Sequence, residues 1–216
     1  MSSIDLLIFD LDGTLTDSIA DLTDAVNAMR AEFTLSPLAV EAVRGMVGRG
    51  ARHLVMQALP GAAEEERERG LAIFLEYNEL HIADKTLLYP GVRETLSSLR
   101  MPGRNMVILS NKNTGLCNKL LVKLEVAGMF TEICGADAYP SMKPSPEPVL
   151  SLMKKYGADA ERTVIIGDSI NDISAGRKAG IRTIGCTYGY GGPDDLVDAD
   201  YRVGMFAELL ELPILG

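Results

Sequence analysis

Three short apolar runs in this chain each stop at a polar or acidic residue, and that feature most limits how it can fold. Residues 4–9 (IDLLIF) end at Asp10, residues 106–109 (MVIL) at Ser110-Asn111, and residues 163–166 (TVII) at Gly167-Asp168. Runs so short, rich in branched side chains and apolar on both faces, read as central strands of a parallel sheet covered by helices. A strand with one solvated face would alternate instead. Residues 182–186 (RTIGC) read as a weaker fourth strand and residues 132–134 as a fifth.

Amphipathic segments lie between these runs. Residues 92–99 put Val92, Leu96 and Leu99 on one stripe; residues 114–126 carry Leu116, Leu120, Leu121 and Leu124; residues 148–156 carry Val149, Leu152 and Met153. Strand alternating with helix predicts an α/β fold with a doubly wound, mostly parallel sheet, a Rossmann-like core. From residue 15 to residue 84 the alternation stops and only helical patterns remain. Ile19, Leu22, Val26 and Met29 follow a 3.6-residue stripe, and Ser36-Pro37 is expected to open a helix running to Val47. Further helices are expected over residues 51–59 and 62–83. The expected division is a core of residues 1–14 and 87–216 with an inserted helical cap domain, residues 15–86. Beyond Gly189 the chain reads as a loop leading to a short helix near residues 205–210.

Charge and cysteine usage narrow the function. Lys and Arg number 21 against 30 Asp and Glu, a net charge of 21 − 30 = −9. Nucleic acid and anionic membranes both require a basic footprint, so neither is the expected partner. Cys117, Cys134 and Cys186 form no CxxC pair, which argues against a disulfide framework or a zinc site and fits a reducing cytoplasm. The start, Met1-Ser2-Ser3-Ile4-Asp5, has no basic leader segment, and no apolar run approaches the ~20 residues of a membrane span. A cytoplasmic protein, monomer or homodimer, is expected.

In an open parallel sheet ligands bind at the carboxyl ends of the strands. Those ends carry Asp10 and Asp12, then Ser110 and Asn111, then Asp168. Asp10 and Asp12 are two residues apart, so in extended backbone their carboxylates lean to one side and repel. A hard divalent cation with oxygen ligands, Mg²⁺ above all, relieves that repulsion, and Asp168 adds a third carboxylate. Gly13 allows a tight turn that presents backbone N–H groups to an anion. On its own, Asp-Leu-Asp-Gly-Thr is also an ordinary strand-to-loop turn. Lys143 sits in Ser-Met-Lys-Pro-Ser-Pro-Glu-Pro, where the prolines restrict the backbone and suit an ammonium aimed at one point. Asp172, four residues after Asp168, reads either as a favourable first-turn charge or as a partner of Lys143 or of metal-bound water.

Asp10-Leu11-Asp12-Gly13-Thr14-Leu15-Thr16-Asp17-Ser18, Ser110-Asn111, Lys143-Pro144 and Gly167-Asp168-Ser169 with Asp172 resemble the four ordered motifs of the haloacid dehalogenase superfamily. Within it the chain is most similar to phosphoglycolate phosphatases, by Val47-Gly48-Arg49-Gly50, Lys112 after Ser110-Asn111, Lys143-Pro144-Ser145-Pro146-Glu147-Pro148, and Thr187-Tyr188-Gly189-Tyr190-Gly191. The resemblance implies a phosphomonoesterase acting on a small phosphorylated metabolite, 2-phosphoglycolate first, with Mg²⁺ as cofactor. It implies Asp10 as nucleophile and Asp12 as general acid and then base. Mg²⁺ is implied between the Asp10 carboxylate, the Asp12 backbone carbonyl and Asp168. Ser110 and Asn111 are implied on the phosphoryl oxygens with Lys143 neutralising them, Gly13 and Thr14 at the substrate, and Asp172 behind this set.

The charges require such an arrangement. A unit pair 4 Å apart is worth about 4 kcal/mol at an effective dielectric near 20, so unrelieved carboxylates would turn a phosphate dianion away. Arg49, in the Gly48-Arg49-Gly50 turn, is a candidate for binding a substrate carboxylate, or else a solvent-facing loop arginine. Lys112 touches either substrate or solvent, Asp17-Ser18 is expected to cap the first cap helix, and Tyr188 and Tyr190 line the mouth or pack the loop. Pyrophosphatase or sugar-phosphate mutase chemistry and a non-catalytic phosphate-binding protein are the alternatives.

Overall fold

All four residues of the first strand are buried, and that strand takes the centre of the sheet in this computed structural model, which describes residues 4–215. Residues 1–3, part of the leader reading, lie outside the described residues. In chain order, β1 (Leu6–Phe9) and β2 (Thr16–Asp17) precede α1 (Ile19–Glu32), α2 (Val40–Arg44), α3 (Ala51–Ala58) and α4 (Glu64–Leu80). Next come β3 (Leu87–Leu88), α5 (Val92–Leu99), β4 (Asn105–Leu109), α6 (Thr114–Lys123) and β5 (Glu132–Cys134). The remainder is α7 (Glu147–Tyr156), β6 (Thr163–Gly167), α8 (Ile170–Ala179), β7 (Arg182–Cys186) and β8 (Tyr201–Val203).

Six strands form one sheet in the order β5-β4-β1-β6-β7-β8, with every ladder parallel. The two-residue side-chain period of β1 feeds two cores. Leu7 and Phe9 join α5, α6 and the 3₁₀ turn Phe206–Glu211, whereas Leu6 and Ile8 join α7 and α8. Each such side chain contributes about 1.5–3 kcal/mol by leaving water, which is why a central strand tolerates no polar residue until Asp10. The chain steps from β1 out to β4 and β5, then crosses back to β6, β7 and β8. That reversal opens a crevice at the carboxyl ends of β1, β4 and β6. The Asp10 N–H donates to Ile166 O at 2.9 Å, so the ends of β1 and β6 are tied at the same level.

Helices α1–α4 form a layer with a separate apolar cluster, in which Ile19, Leu22, Val26 and Met29 meet Leu54, Val55 and Phe74. The chain enters and leaves this layer through β2 and β3, an antiparallel pair with Thr16 opposite Leu88 and Asp17 opposite Leu87. Strands of two residues carry no readable period, and the sequence expectation of no strand between residues 15 and 84 missed β2. β8, with three residues, was also missed. The helix expected to open at Ser36-Pro37 is confined to Val40–Arg44. Asn27 brackets Leu38, accepting from its N–H at 2.8 Å and donating to its carbonyl at 3.0 Å, and Arg30 Nε holds Ser36 O at 2.8 Å. These bonds keep residues 36–38 out of a helix. Among the described residues no helix is long and apolar enough to cross a membrane.

Gly135, just after β5, packs against the turn that follows β4. A Cβ there would stand 2.2 Å from Thr114 N and 2.4 Å from Lys112 O, both backbone atoms that cannot swing aside. Gly135→Ala is therefore expected to cost more than about 2 kcal/mol of unfolding free energy. A urea titration checks this; a change within experimental error contradicts it.

Candidate active site

Lys143 Nζ lies 2.8 Å from Asp10 Oδ1 and 2.6 Å from Asp172 Oδ1, with the lysine side chain 2 % exposed. Its backbone is gripped as well: the Asn111 side chain accepts from Lys143 N at 3.1 Å and donates to Lys143 O at 2.9 Å. Both readings of Asp172 are met, since it pairs with Lys143 and is the acidic residue in the first turn of α8. Its second oxygen accepts from Ser169 N and Oγ, at 3.1 and 2.7 Å, closing the first turn of α8. Burial works against the charge on Lys143, but Asp10 and Asp172 outweigh it and hold the ammonium above its ordinary range.

Asp168 follows β6 and is 2 % exposed. It accepts from Thr14 Oγ1 at 3.0 Å and from the Tyr190 N–H at 2.7 Å. Gly13 lies against it at φ 87°, where a Cβ would meet Asp168 Oδ2 at 2.3 Å, so the turn after β1 requires glycine on two counts. The expectation that Gly13 and Thr14 address substrate is corrected in one respect. The Gly13 N–H donates to Thr16 O at 2.8 Å and that of Thr14 to Leu11 O at 3.3 Å, while the Thr14 hydroxyl is spent on Asp168. These two residues build the turn and orient Asp168.

Carboxylate oxygens of Asp10, Asp168 and Asp172 lie within 4.8 Å of one another. Burial pushes the Asp168 carboxyl up to about 8, and the charges of Asp10 and Asp172 push the same way. Burial also dominates at Asp10; Lys143 opposes it and Asp172 adds to it, leaving the group at about 6. Three ionised carboxylates against one ammonium leave −3 + 1 = −2 in a buried space. A hard, oxygen-preferring divalent cation balances that residue of charge, so the donor set fits such an ion.

Asp12 faces the other way. Its carboxylate receives Lys112 Nζ at 3.0 and 3.2 Å and Ser18 Oγ at 2.6 Å. Ser18 thus does not cap α1 with its side chain, as the sequence suggested. Lys112 is 8 % exposed at its side chain and touches this carboxylate, not solvent. Tyr190 accepts from Ser18 N at 2.6 Å and donates to Asp17 Oδ1 at 3.1 Å, so the C-terminal loop braces the turn that carries Asp12.

The helical layer roofs the site. Gly48 O accepts from Asn111 Nδ2 at 2.8 Å and from Asn171 Nδ2 at 3.2 Å, which fastens the α2–α3 turn over the strand ends. Beneath it Asp10 and Asp12 line a cleft with two lobes. The inner lobe has Ser110, Asn111, Lys112 and Lys143 at its floor, with Leu54, Phe74 and Asn78 from the helical layer. The outer lobe has Asp168 and Tyr190 with Arg44, Arg49 and His53. Arg49 is exposed, on the rim. The sequence reading missed Asn78 altogether. Its one signal was position, since Gly70, Phe74 and Asn78 share the buried stripe of α4 at four-residue spacing.

The sequence model of the family described as Haloacid dehalogenase-like hydrolase matches residues 7–186. The chain is 42 % identical over 192 residues to Phosphoglycolate phosphatase 1 of Pseudomonas aeruginosa, covering 86 % of this chain and 70 % of that protein. It is 38 % identical over 217 residues to the phosphoglycolate phosphatase of Chromobacterium violaceum, covering 98 % and 97 %. A crystal structure described as a predicted phosphoglycolate phosphatase from Haemophilus somnus superposes with a TM-score of 0.93 at 30 % identity, covering 98 % of each chain.

Asp10 and Asp168 hold their protons more tightly in the fold than at the ordinary value of 3.8. Metal-free protein therefore binds more protons folded than unfolded between about pH 4 and about pH 8, and loses stability as pH rises across that window. In EDTA, Tm is expected to fall from about pH 5 to about pH 8, millimolar MgCl₂ to restore it at the upper end, and Asp168→Asn to flatten the slope. A Tm in EDTA that climbs over this range contradicts the assignment.

Proposed function

The chain belongs to the haloacid dehalogenase-like hydrolases and is a phosphatase, and from that premise we propose that it hydrolyses 2-phosphoglycolate with Mg²⁺ as cofactor through an aspartyl phosphate on Asp10. The observation that carries the reading is the opposed setting of two carboxylates on one cleft. Asp10 is fixed by Lys143 at 2.8 Å, and Asp12 by Lys112 at 3.0 Å. One is placed to attack phosphorus, the other to serve the leaving group on the far side.

An Asp10 carboxylate oxygen forms a bond to phosphorus as the bond to the leaving oxygen breaks, and Asp12 gives that oxygen its proton. Asp12 then takes a proton from water, whose oxygen attacks the phosphorus and frees Asp10 with release of inorganic phosphate. Lys143 and Ser110 stabilise the oxygens of the transferring group, where preorganised charge matters most. Asp10, Asp168 and the Asp12 carbonyl would hold Mg²⁺, which when bound offsets the carboxylate charge and admits a phosphate dianion. Asn111 keeps Lys143 aimed through its backbone. The helical layer, residues 15–86, acts as a cap domain over the core, residues 1–14 and 87–216. It excludes water from the first step.

The test is phosphate release from a panel of 2-phosphoglycolate, pyrophosphate and sugar phosphates, with and without MgCl₂. Activity is expected to need Mg²⁺ and to favour 2-phosphoglycolate. Asp10→Asn is expected to lower kcat by more than about 10³-fold while leaving the fold intact. Retained turnover in Asp10→Asn sinks the mechanism.

A further inference from the structure

The inner lobe of the cleft is walled by Leu22, Leu54, Phe74, Leu75 and Leu116, and among the polar groups lining it Lys112 and Asn78 come from opposite sides. Lys112 comes from the core, on the turn after β4. Asn78 comes from α4, in the helical layer. Asn78 is 2 % exposed, and among the described residues its side-chain amide meets no hydrogen-bond partner. Facing the cavity, its N–H donors are free for a group that enters the lobe. Lys112 spends two contacts on the single carboxylate of Asp12. An ammonium has three donors, and the third remains for a second anion.

Resting on the assignment of Asp12 as the acid for the leaving oxygen, that oxygen lies within hydrogen-bond reach of Asp12. An acidic group attached one carbon further then falls beside Lys112. We propose that Lys112 and Asn78 form the subsite for the carboxylate of a short 2-hydroxy-acid phosphomonoester and set selectivity against phosphoesters with uncharged leaving groups. The ammonium supplies the charge and the amide N–H supplies a directed bond. The leucine and phenylalanine walls keep the leaving group small. Arg49, the residue the sequence suggested for this task, is exposed and lines only the outer lobe with Arg44 and His53. It stands outside the subsite.

The measure is the ratio of kcat/KM for 2-phosphoglycolate to that for ethyl phosphate, which has nearly the same shape and lacks the carboxylate, in the full chain with MgCl₂. The wild type is expected to favour 2-phosphoglycolate strongly. Asn78→Leu and Lys112→Met are each expected to lower the ratio at least about tenfold, with KM for 2-phosphoglycolate rising. Asn78→Asp sets a like charge against the substrate carboxylate and is expected to lower the ratio further, which separates lost recognition from lost packing. Should Asn78→Leu fail to fold, Asn78→Asp and Lys112→Met carry the test. A wild-type ratio near one, a ratio unmoved in the folded variants, or a ratio that collapses only in Arg49→Ala overturns the subsite and leaves the phosphatase reading standing. Full activity in Asp10→Asn removes the reading beneath it instead.

Discussion

Everything at the strand ends depends on one buried lysine. Asp10, Asp168 and Asp172 are drawn together by the sheet, whose parallel register leaves the ends of β1 and β6 side by side. Three carboxylates so close repel strongly in a space with little water, and a proton or a cation among them must relieve that repulsion. Lys143 bridges two of the three, and its long loop is pinned at the backbone by Asn111 so that the ammonium cannot withdraw. Removing one partner of a buried pair costs about 3–5 kcal/mol, so the geometry and the stability of this corner are the same interaction.

A second feature is the separate pairing of the two neighbouring carboxylates. Asp10 and Asp12 are separated by one residue, yet they meet different cations: Lys143 from the loop before α7, and Lys112 from the turn after β4. The tight turn at Gly13 and the Asp168–Thr14 bond let the backbone diverge so quickly. Two neighbouring acids in one electrostatic environment would share a role. Here they line the same cleft and are set against separate ammonium groups, so their surroundings differ.

Much of the core and its polar edge was legible in the sequence because central strands leave no choice. Once the apolar runs ending at Phe9, Leu109 and Ile166 are read as buried strands, Asp10, Ser110 and Asp168 must cluster. What stayed hidden depends on side-chain direction across long chain separations. Nothing local in Asn111-Lys112-Asn113 says that Lys112 turns to a carboxylate 100 residues earlier. Asn78 is one amide in a polar helix, and only its place on the stripe with Gly70 and Phe74 distinguishes it. The strands β2 and β3, two residues each, fall below any period, and the bracket of Asn27 on Leu38 that ends the expected Ser36-Pro37 helix is a tertiary contact.

The shared use of Asn111 has a consequence for traffic through the site. Its amide nitrogen gives one hydrogen to the roof at Gly48 and the other to Lys143 O, while its oxygen holds Lys143 N. Lifting the roof costs the bonds that Asn111 and Asn171 make to a single carbonyl, about 1 kcal/mol each, together with contacts such as the Lys119–Glu79 pair and Arg44 over the Tyr190 ring. The grip on Lys143 is untouched by that loss. A door hinged at that carbonyl would swing while the lysine behind it kept its hold on both carboxylates.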